Sequence, residues 1–245
     1  MKIFKNISYN DFCQLDIYAP EKEDFETIVY FHGGGLSGGD KEFFAVAEQF
    51  VEFGYGVVSA NYRMYSDGVK FPVFLFDAAD AVAYVKKHIG EYGGNGNLYI
   101  DGGSAGAWLT VMLCVDPSYL RNVGVDTAEI KGWISDSAQM TSHFNAQHLE
   151  YGRAQWVQRI DELAPLYYVD EKTHFSKMLL IFYEHDLPCR PEQNMLFYKA
   201  VLHFNPQADI CYRSLKGGHC VGLFEKDEDG LFPHVKETIA WLKKE

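Results

Sequence analysis

A strand that turns directly into a buried helix through Gly102-Gly103-Ser104-Ala105-Gly106 is the feature that most narrows what this chain can fold into. Residues 97–101 (Asn-Leu-Tyr-Ile-Asp) read as strand, and the Ala, Trp, Leu, Val and Met of 105–115 read as buried helix. Glycines two positions either side of Ser104 leave room for a tight, strained turn that larger side chains would block. Such a turn pushes the serine hydroxyl out of the top of a sheet, where it is free to attack. The bare G-x-S-x-G pattern is weak, since at ordinary residue frequencies a chain of this length holds one by chance in roughly one case in ten. Gly35-Leu36-Ser37-Gly38-Gly39 also matches, but it lies inside a glycine run, away from the preceding strand and before a helix that starts at Asp40. Ser104 is therefore the candidate nucleophile and Ser37 a loop hydroxyl.

A serine that attacks a carbonyl creates an oxyanion, and an oxyanion needs preorganised donors. His32-Gly33-Gly34-Gly35, about seventy residues before Ser104, offers backbone that can approach closely. The N–H groups of Gly33, Gly34 and Ala105 are the expected donors. His32 is expected to orient that loop through hydrogen bonds rather than to move protons.

The rest of the chain sets these segments in an α/β pattern. Strands are expected at 13–19, at a sheet edge, then at 25–31, 55–60, 97–101, 130–135, 178–183 and 210–214. Helices are expected from an Asp40 cap through Phe43, Phe44, Ala47, Phe50 and Val51 to Gly54, from Pro72 to Gly90 with Phe74, Ala78, Ala81, Val82 and Val85 on one face, at 192–204 and at 233–244. Strands alternating with helices predict a mostly parallel sheet covered on both faces, with reactive groups at the carboxyl ends of strands. With 245 residues and 47% apolar content, one domain is expected rather than two. Residues 139–175 are too long for a simple connection and are expected to form a small helical insertion over the site. Its aromatics (Phe144, Tyr151, Trp156, Tyr167, Tyr168) read first as packing.

Serine needs a histidine to take its proton and a carboxylate to hold that histidine, in the chain order Ser, acid, His. His219, in the loop Lys216-Gly217-Gly218-His219 after the last strand, is favoured over His185; His203 and His234 fall on helices and read as surface or packing residues. Asp186, in the loop beyond strand 178–183, is the expected acid, with Glu184 as runner-up and Asp136 third, its simpler role being to cap a loop. Asp101 precedes the serine and is out of order for the acid. The five cysteines lack C-x-x-C spacing, so neither a disulfide framework nor a zinc site is expected. Cys220 could be a nucleophile in a different chemistry, but no elbow precedes it. The formal charge of −12 disfavours nucleic acid or an anionic membrane as partner. The first residues lack the apolar core of a secretory signal, so a cytoplasmic protein is expected.

Taken with Tyr30-Phe31-His32-Gly33-Gly34-Gly35, Asn61-Tyr62-Arg63, and Phe71-Pro72 with Asp77, the ordered serine, acid and histidine resemble the α/β-hydrolase superfamily, in its HGGG-bearing esterase/lipase branch related to hormone-sensitive lipase and carboxylesterases. The resemblance runs over nearly the whole chain. It implies hydrolysis of a small-molecule ester through an acyl-serine, with Ser104, Asp186 and His219 as the triad, no metal or organic cofactor, and a structural ion pair between Arg63 and Asp77. Gly103 departs from the acidic or histidine residue often found before the serine, and the long N-terminal cap of hormone-sensitive-lipase relatives is missing. Compact acetyl and feruloyl esterases are similar in size and motifs, which points to small or aromatic-acyl esters; arylformamidases share the same machinery. A ligand receptor on a hydrolase scaffold is the remote third reading, since such proteins usually lose a triad residue.

Overall fold

A strand buried on both faces reads as a continuous apolar run, as residues 178–183 (Met-Leu-Leu-Ile-Phe-Tyr) do. In the computed structural model, which describes residues 1–243 with Phe44 by its backbone alone, eight strands form one sheet. They are β1 (Lys2–Ser8), β2 (Gln14–Ala19), β3 (Phe25–Phe31), β4 (Gly56–Ala60), β5 (Gly94–Gly103), β6 (Ile130–Asp136), β7 (Met178–His185) and β8 (Ile210–Gly218). Their order across the sheet is β1-β2-β4-β3-β5-β6-β7-β8. From β4 to β8 the neighbours are parallel, while β2 runs antiparallel to both β4 and β1.

Helices cover both faces. On one side α2 (Val73–His88), α3 (Ala105–Val115), α4 (Ser118–Asn122) and α6 (Arg190–Phe204) pack on Val29, Val58, Ile100, Trp133 and Leu180. On the other, α1 (Phe44–Glu52) and α7 (Pro233–Leu242) pack on the alternate residues Ile28, Val57, Tyr99, Ile134 and Leu179. α5 (Phe144–Tyr151) falls within 139–175. All eleven residues of α3 are buried, because it is covered by the sheet, by α2 and by residues of that segment.

Three local expectations need correction. The strand at 13–19 is not an edge: β1 covers it. β1 escaped the periodicity reading because a bulge between Phe4 and Ile7, where Asn6 takes φ +57°, spaces its half-buried apolar residues three apart instead of two. Asp40 does not cap α1; its carboxylate accepts from Glu42 N–H and Asn61 Nδ2, shaping the turn before the helix, which Phe43 caps without a side-chain bond. Pro72 stands just before α2 rather than in its first turn. The end expected for the last helix at residue 244 lies outside the described residues, as does the Phe44 side chain.

Strand register brings the distant motifs together. β3 and β5 are neighbours with Phe31 opposite Gly102, so His32 leaves its strand beside the turn at Ser104. Next along, Gly103 pairs with Asp136, Asp136 with Ile181, and His185 with Gly218. Five chain segments, the ends of β3, β5, β6, β7 and β8, thus lie in one row at the carboxyl edge of the sheet, where open parallel sheets bind ligands. A methyl group on Gly106 would overlap the Phe31 carbonyl, and one on Gly102 would overlap the Gly106 carbonyl, so both glycines set how closely α3 approaches the strands. Gly106→Ala should therefore cost about 3 kcal/mol or more in urea unfolding. Gly90→Ala, whose methyl meets nothing, should stay within about 1 kcal/mol of wild type.

Candidate active site

Ser104 occupies the turn between β5 and α3 with φ +54° and ψ −112°, a conformation that β-carbon-bearing residues rarely adopt. Its N–H donates to the Asp136 carbonyl at 2.8 Å, which fixes the turn. Its hydroxyl lies 2.8 Å from His219 Nε2, and His219 Nδ1 donates to Asp186 Oδ1 at 2.5 Å. His219 follows β8 and Asp186 follows β7, so the chain Ser104, His219, Asp186 spans three strand ends. The Asp186 carboxylate is wholly buried and the His219 ring is about a quarter exposed, with 24% of its surface open.

Electrostatics favour a charged acid. Burial works to raise the Asp186 carboxyl, but the His219 hydrogen bond and charge, together with the Leu187 N–H, more than reverse this and hold it below the usual range. Glu184 and His185, the alternatives, are exposed, and His203 is too. Cys220 lies in the same wall, its sulfur 3.7 Å from His219 Nε2. Burial and the nearby Asp136 push its thiol well above the ordinary range, so it is a neutral thiol, not a thiolate.

The glycine loop sits against this chain. A methyl on Gly33 would come 3.3 Å from Ser104 Cβ, so the Gly33 backbone runs directly beside the serine. Gly34 has φ +111°, and a side chain there would overlap the Gly38 carbonyl. His32 is buried; its Nδ1 contacts the Gly33 carbonyl at 2.8 Å, and its ring stacks on Tyr62, whose hydroxyl donates to the His32 carbonyl at 2.8 Å. Burial lowers the His32 pKa, keeping the ring neutral. Ser37, the rival serine, hydrogen-bonds within its own loop and to Asn145. Arg63 and Asp77 form a two-pronged ion pair at 2.8 and 2.7 Å, away from the serine.

A cavity of about 710 Å³ opens in front of Ser104 and His219. Its walls are mainly apolar, with Phe43, Phe144, Leu223, Phe224 and Phe232 prominent and Asp40 and Glu42 also on the lining. Phe144, at the start of α5, stacks on His143 and Trp156, and Asn145 Nδ2 donates to the Gly35 carbonyl at 2.7 Å. The 139–175 segment is thereby tied to the glycine loop.

Sequence reasoning missed two buried charges here. Arg190, at the start of α6, is nearly inaccessible and donates to the Ser137 carbonyl at 2.5 Å. His234, taken as a surface or packing residue of α7, is wholly buried between two carboxylates: Nε2 to Asp101 at 2.8 Å and Nδ1 to Asp136 at 2.9 Å. Burial alone would lower its pKa, but the two aspartates reverse that and lift it to about 10. Asp136 therefore faces His234, not His219. No periodicity reveals such a histidine; only its strand partners, distant in sequence, do.

A family model described as BD-FAE matches residues 15–201, a stretch that includes the glycine loop, Ser104 and Asp186. The chain belongs to the BD-FAE family. Among curated relatives, "Gut esterase 1" of Caenorhabditis elegans is 32% identical over 149 residues, covering 53% of this chain and 26% of that protein. "Probable carboxylic ester hydrolase LipM" of Mycobacterium tuberculosis is 32% identical over 123 residues, covering 46% of this chain and 28% of that protein. The chain thus spans less than a third of the length of these relatives. The apo form of Thermogutta terrifontis esterase 2 superposes with TM-score 0.78 at 20% identity, over 98% of this chain and 93% of that one. A truncated carbohydrate esterase from gut microbiota gives 0.77 at 17% identity, over 98% and 95%. The fold of this family member is that of the α/β-hydrolases.

Two measurements follow. Asp186→Asn should slow fluorophosphonate labelling of the serine by on the order of 10³- to 10⁴-fold through loss of the correct tautomer, while Glu184→Gln should leave it within about two-fold. His234 has a folded pKa above its unfolded value, so its contribution to stability is complete below the unfolded pKa of about 6.5 and is lost as pH rises through about 10. Unfolding free energy should thus fall between about pH 7 and pH 10, and fall less steeply in His234→Gln.

Proposed function

We propose that this protein is a serine carboxylic-ester hydrolase acting through an acyl-serine intermediate on small or aromatic-acyl esters. The observation that carries this reading is the chain of hydrogen bonds from Ser104 through His219 to Asp186, at 2.8 and 2.5 Å, at the mouth of an apolar cavity. The names of two relatives, an esterase and a probable carboxylic ester hydrolase, agree with it.

In this reading His219 Nε2 takes the hydroxyl proton as Ser104 Oγ bonds to the ester carbonyl carbon. The carbonyl oxygen takes up the displaced electron pair, and the Gly33, Gly34 and Ala105 N–H groups receive the resulting negative charge. Collapse re-forms the carbonyl and breaks the bond to the alcohol oxygen, which leaves with the proton held by His219. Water, deprotonated by the same nitrogen, then releases the acid and restores Ser104. The charged Asp186 holds Nδ1–H and stabilises the imidazolium formed in both halves.

The cavity supports the choice of substrate. At about 710 Å³ it lies in the ordinary range for small-molecule sites, and its aromatic walls suit a ring better than a long flexible chain. Asp40 and Glu42 on its lining, and a formal charge of −12, favour neutral esters over anionic ones. Residues 139–175 are assigned as a small cap on a single α/β-hydrolase domain; Phe144 on the cavity wall and the bond from Asn145 to Gly35 support this.

Ser104→Ala should fold normally and hydrolyse p-nitrophenyl acetate or butyrate at least about 10³-fold more slowly. Unchanged turnover in that variant overturns the proposal. A panel of acetyl, feruloyl and N-formyl anilide substrates should rank the esters above the formamide. The reverse order would make the same machinery an amide hydrolase.

A further inference from the structure

We infer that Asp136, paired with the buried His234, is a positioning residue that registers the nucleophile and the histidine loop against each other; this rests on the ester-hydrolase reading. Asp136 closes β6, in the strand next to the one that delivers Ser104, with Gly103 as its register partner. Its main chain and side chain act on different parts of the site. The carbonyl accepts the Ser104 N–H at 2.8 Å. The carboxylate Oδ2 accepts the Tyr183 hydroxyl at 3.0 Å, and the oxygen of that same hydroxyl accepts the Gly222 N–H at 3.1 Å. Gly222 belongs to the turn of Val221–Leu223 just after His219 and Cys220, and a methyl group on it would come 2.5 Å from the Tyr183 oxygen, so the turn is seated on that hydroxyl. Leu223 of the same turn fills the space that a side chain at Gly103 would claim, its Cδ1 2.6 Å from where that β-carbon would stand. One residue therefore anchors the turn that carries the nucleophile and, through Tyr183, the loop that carries its base.

A carboxylate can be such an anchor only if it is itself fixed and charged at no great cost. Asp136 is fully buried, and an isolated buried carboxylate is costly. The His234 ring answers this: its two nitrogens face carboxylate oxygens of Asp101 and Asp136, an arrangement satisfied when both nitrogens carry protons. Asp101 lies on β5 three residues before Ser104, so the clamp joins the elbow strand to the strand that receives the Ser104 N–H. Phe50 of α1 meets the ring edge-on and the helix backbone of α7 carries it, so the clamp is sealed from water. Neither Asp136 nor His234 touches the cavity in front of Ser104. Their effect must pass through position, not through proton transfer.

The decisive variant is Tyr183→Phe, which keeps the ring and the Asp136–His234 pair and deletes only the bridge to Gly222. Asp136→Asn tests the hub itself, and Leu120→Ala, which opens a hole under α4 on the sheet face opposite α7, is the control for general destabilisation. The readouts are kcat and KM for p-nitrophenyl butyrate, per active site titrated with a fluorophosphonate, and Tm. Displacement of a base by a fraction of an ångström to 1 Å costs up to about 10²-fold. Tyr183→Phe should therefore lower kcat about 10- to 100-fold with KM within about two-fold, and Leu120→Ala should lower Tm with kcat per titrated site unchanged. If Tyr183→Phe keeps wild-type kcat per titrated site, or loses kcat only in step with Tm as the control does, the inference is overturned. If Asp136→Asn does not fold, Tyr183→Phe decides alone. Failure of wild type itself to be labelled or to hydrolyse the ester would instead sink the ester-hydrolase reading, which separates the two.

Discussion

The start of α3 lies almost in contact with the end of β3, and the rest of the site is arranged around that approach. Backbone can come this near only where no β-carbon intervenes, and Gly106 against the Phe31 carbonyl meets that condition. Once the two are together, His32 and Gly33 emerge beside Ser104, and the strained turn is held between β3 on one side and the Asp136 carbonyl on the other. The strain at Ser104, with φ +54°, persists because its neighbours over-determine it. The helix that follows is buried along its whole length, so the cost of the turn is offset by packing on α3.

Electrostatics at the sheet edge divide between an open set and a closed one. Ser104 and His219 face the cavity, and Asp186 stands buried behind the His219 ring. Asp101, His234 and Asp136 lie behind, without access to solvent, each ring nitrogen bonded to one of the two carboxylates. The two sets meet at the end of β5, where the Asp136 carbonyl accepts the Ser104 N–H, and otherwise use different strands and atoms. Cys220 sits between them as a neutral thiol, filling space and contacting the Asp136 carbonyl through sulfur at 3.8 Å.

Much of this was legible in the chain and some was not, for physical reasons. The strand at 25–31 and the helix at 105–115 carry mostly apolar residues, broken only by Glu26, Thr27 and Thr110, and appear with those same bounds. Ser104 and His219 stand out in the sequence because they lie in glycine-flanked turns at strand ends, and Asp186 because the chain order limits the choices; the structure brings the three side chains into one hydrogen-bonded chain. β1 was missed since its bulge breaks the two-residue alternation, and Asp40 was misplaced because an acidic residue before a helix looks like a cap even when it binds the preceding turn. His234 could not be read at all: a polar residue on an otherwise apolar helix face looks like packing until its partners, 133 and 98 residues away, are known.

The order of the parts along the chain carries a consequence for synthesis. The glycine loop and Ser104 are made first, the acid later, and the histidine only 115 residues after the serine. β8 and α7, which bring His219 and the buried His234, are the last strand and helix of the fold. A chain made only as far as β7 therefore holds Ser104, Asp101 and Asp136 but neither His219 nor His234. In the ester-hydrolase reading, a chain that stops short of the loop after β8 lacks the base for its serine, so acylation waits on the last strand of the sheet to be made.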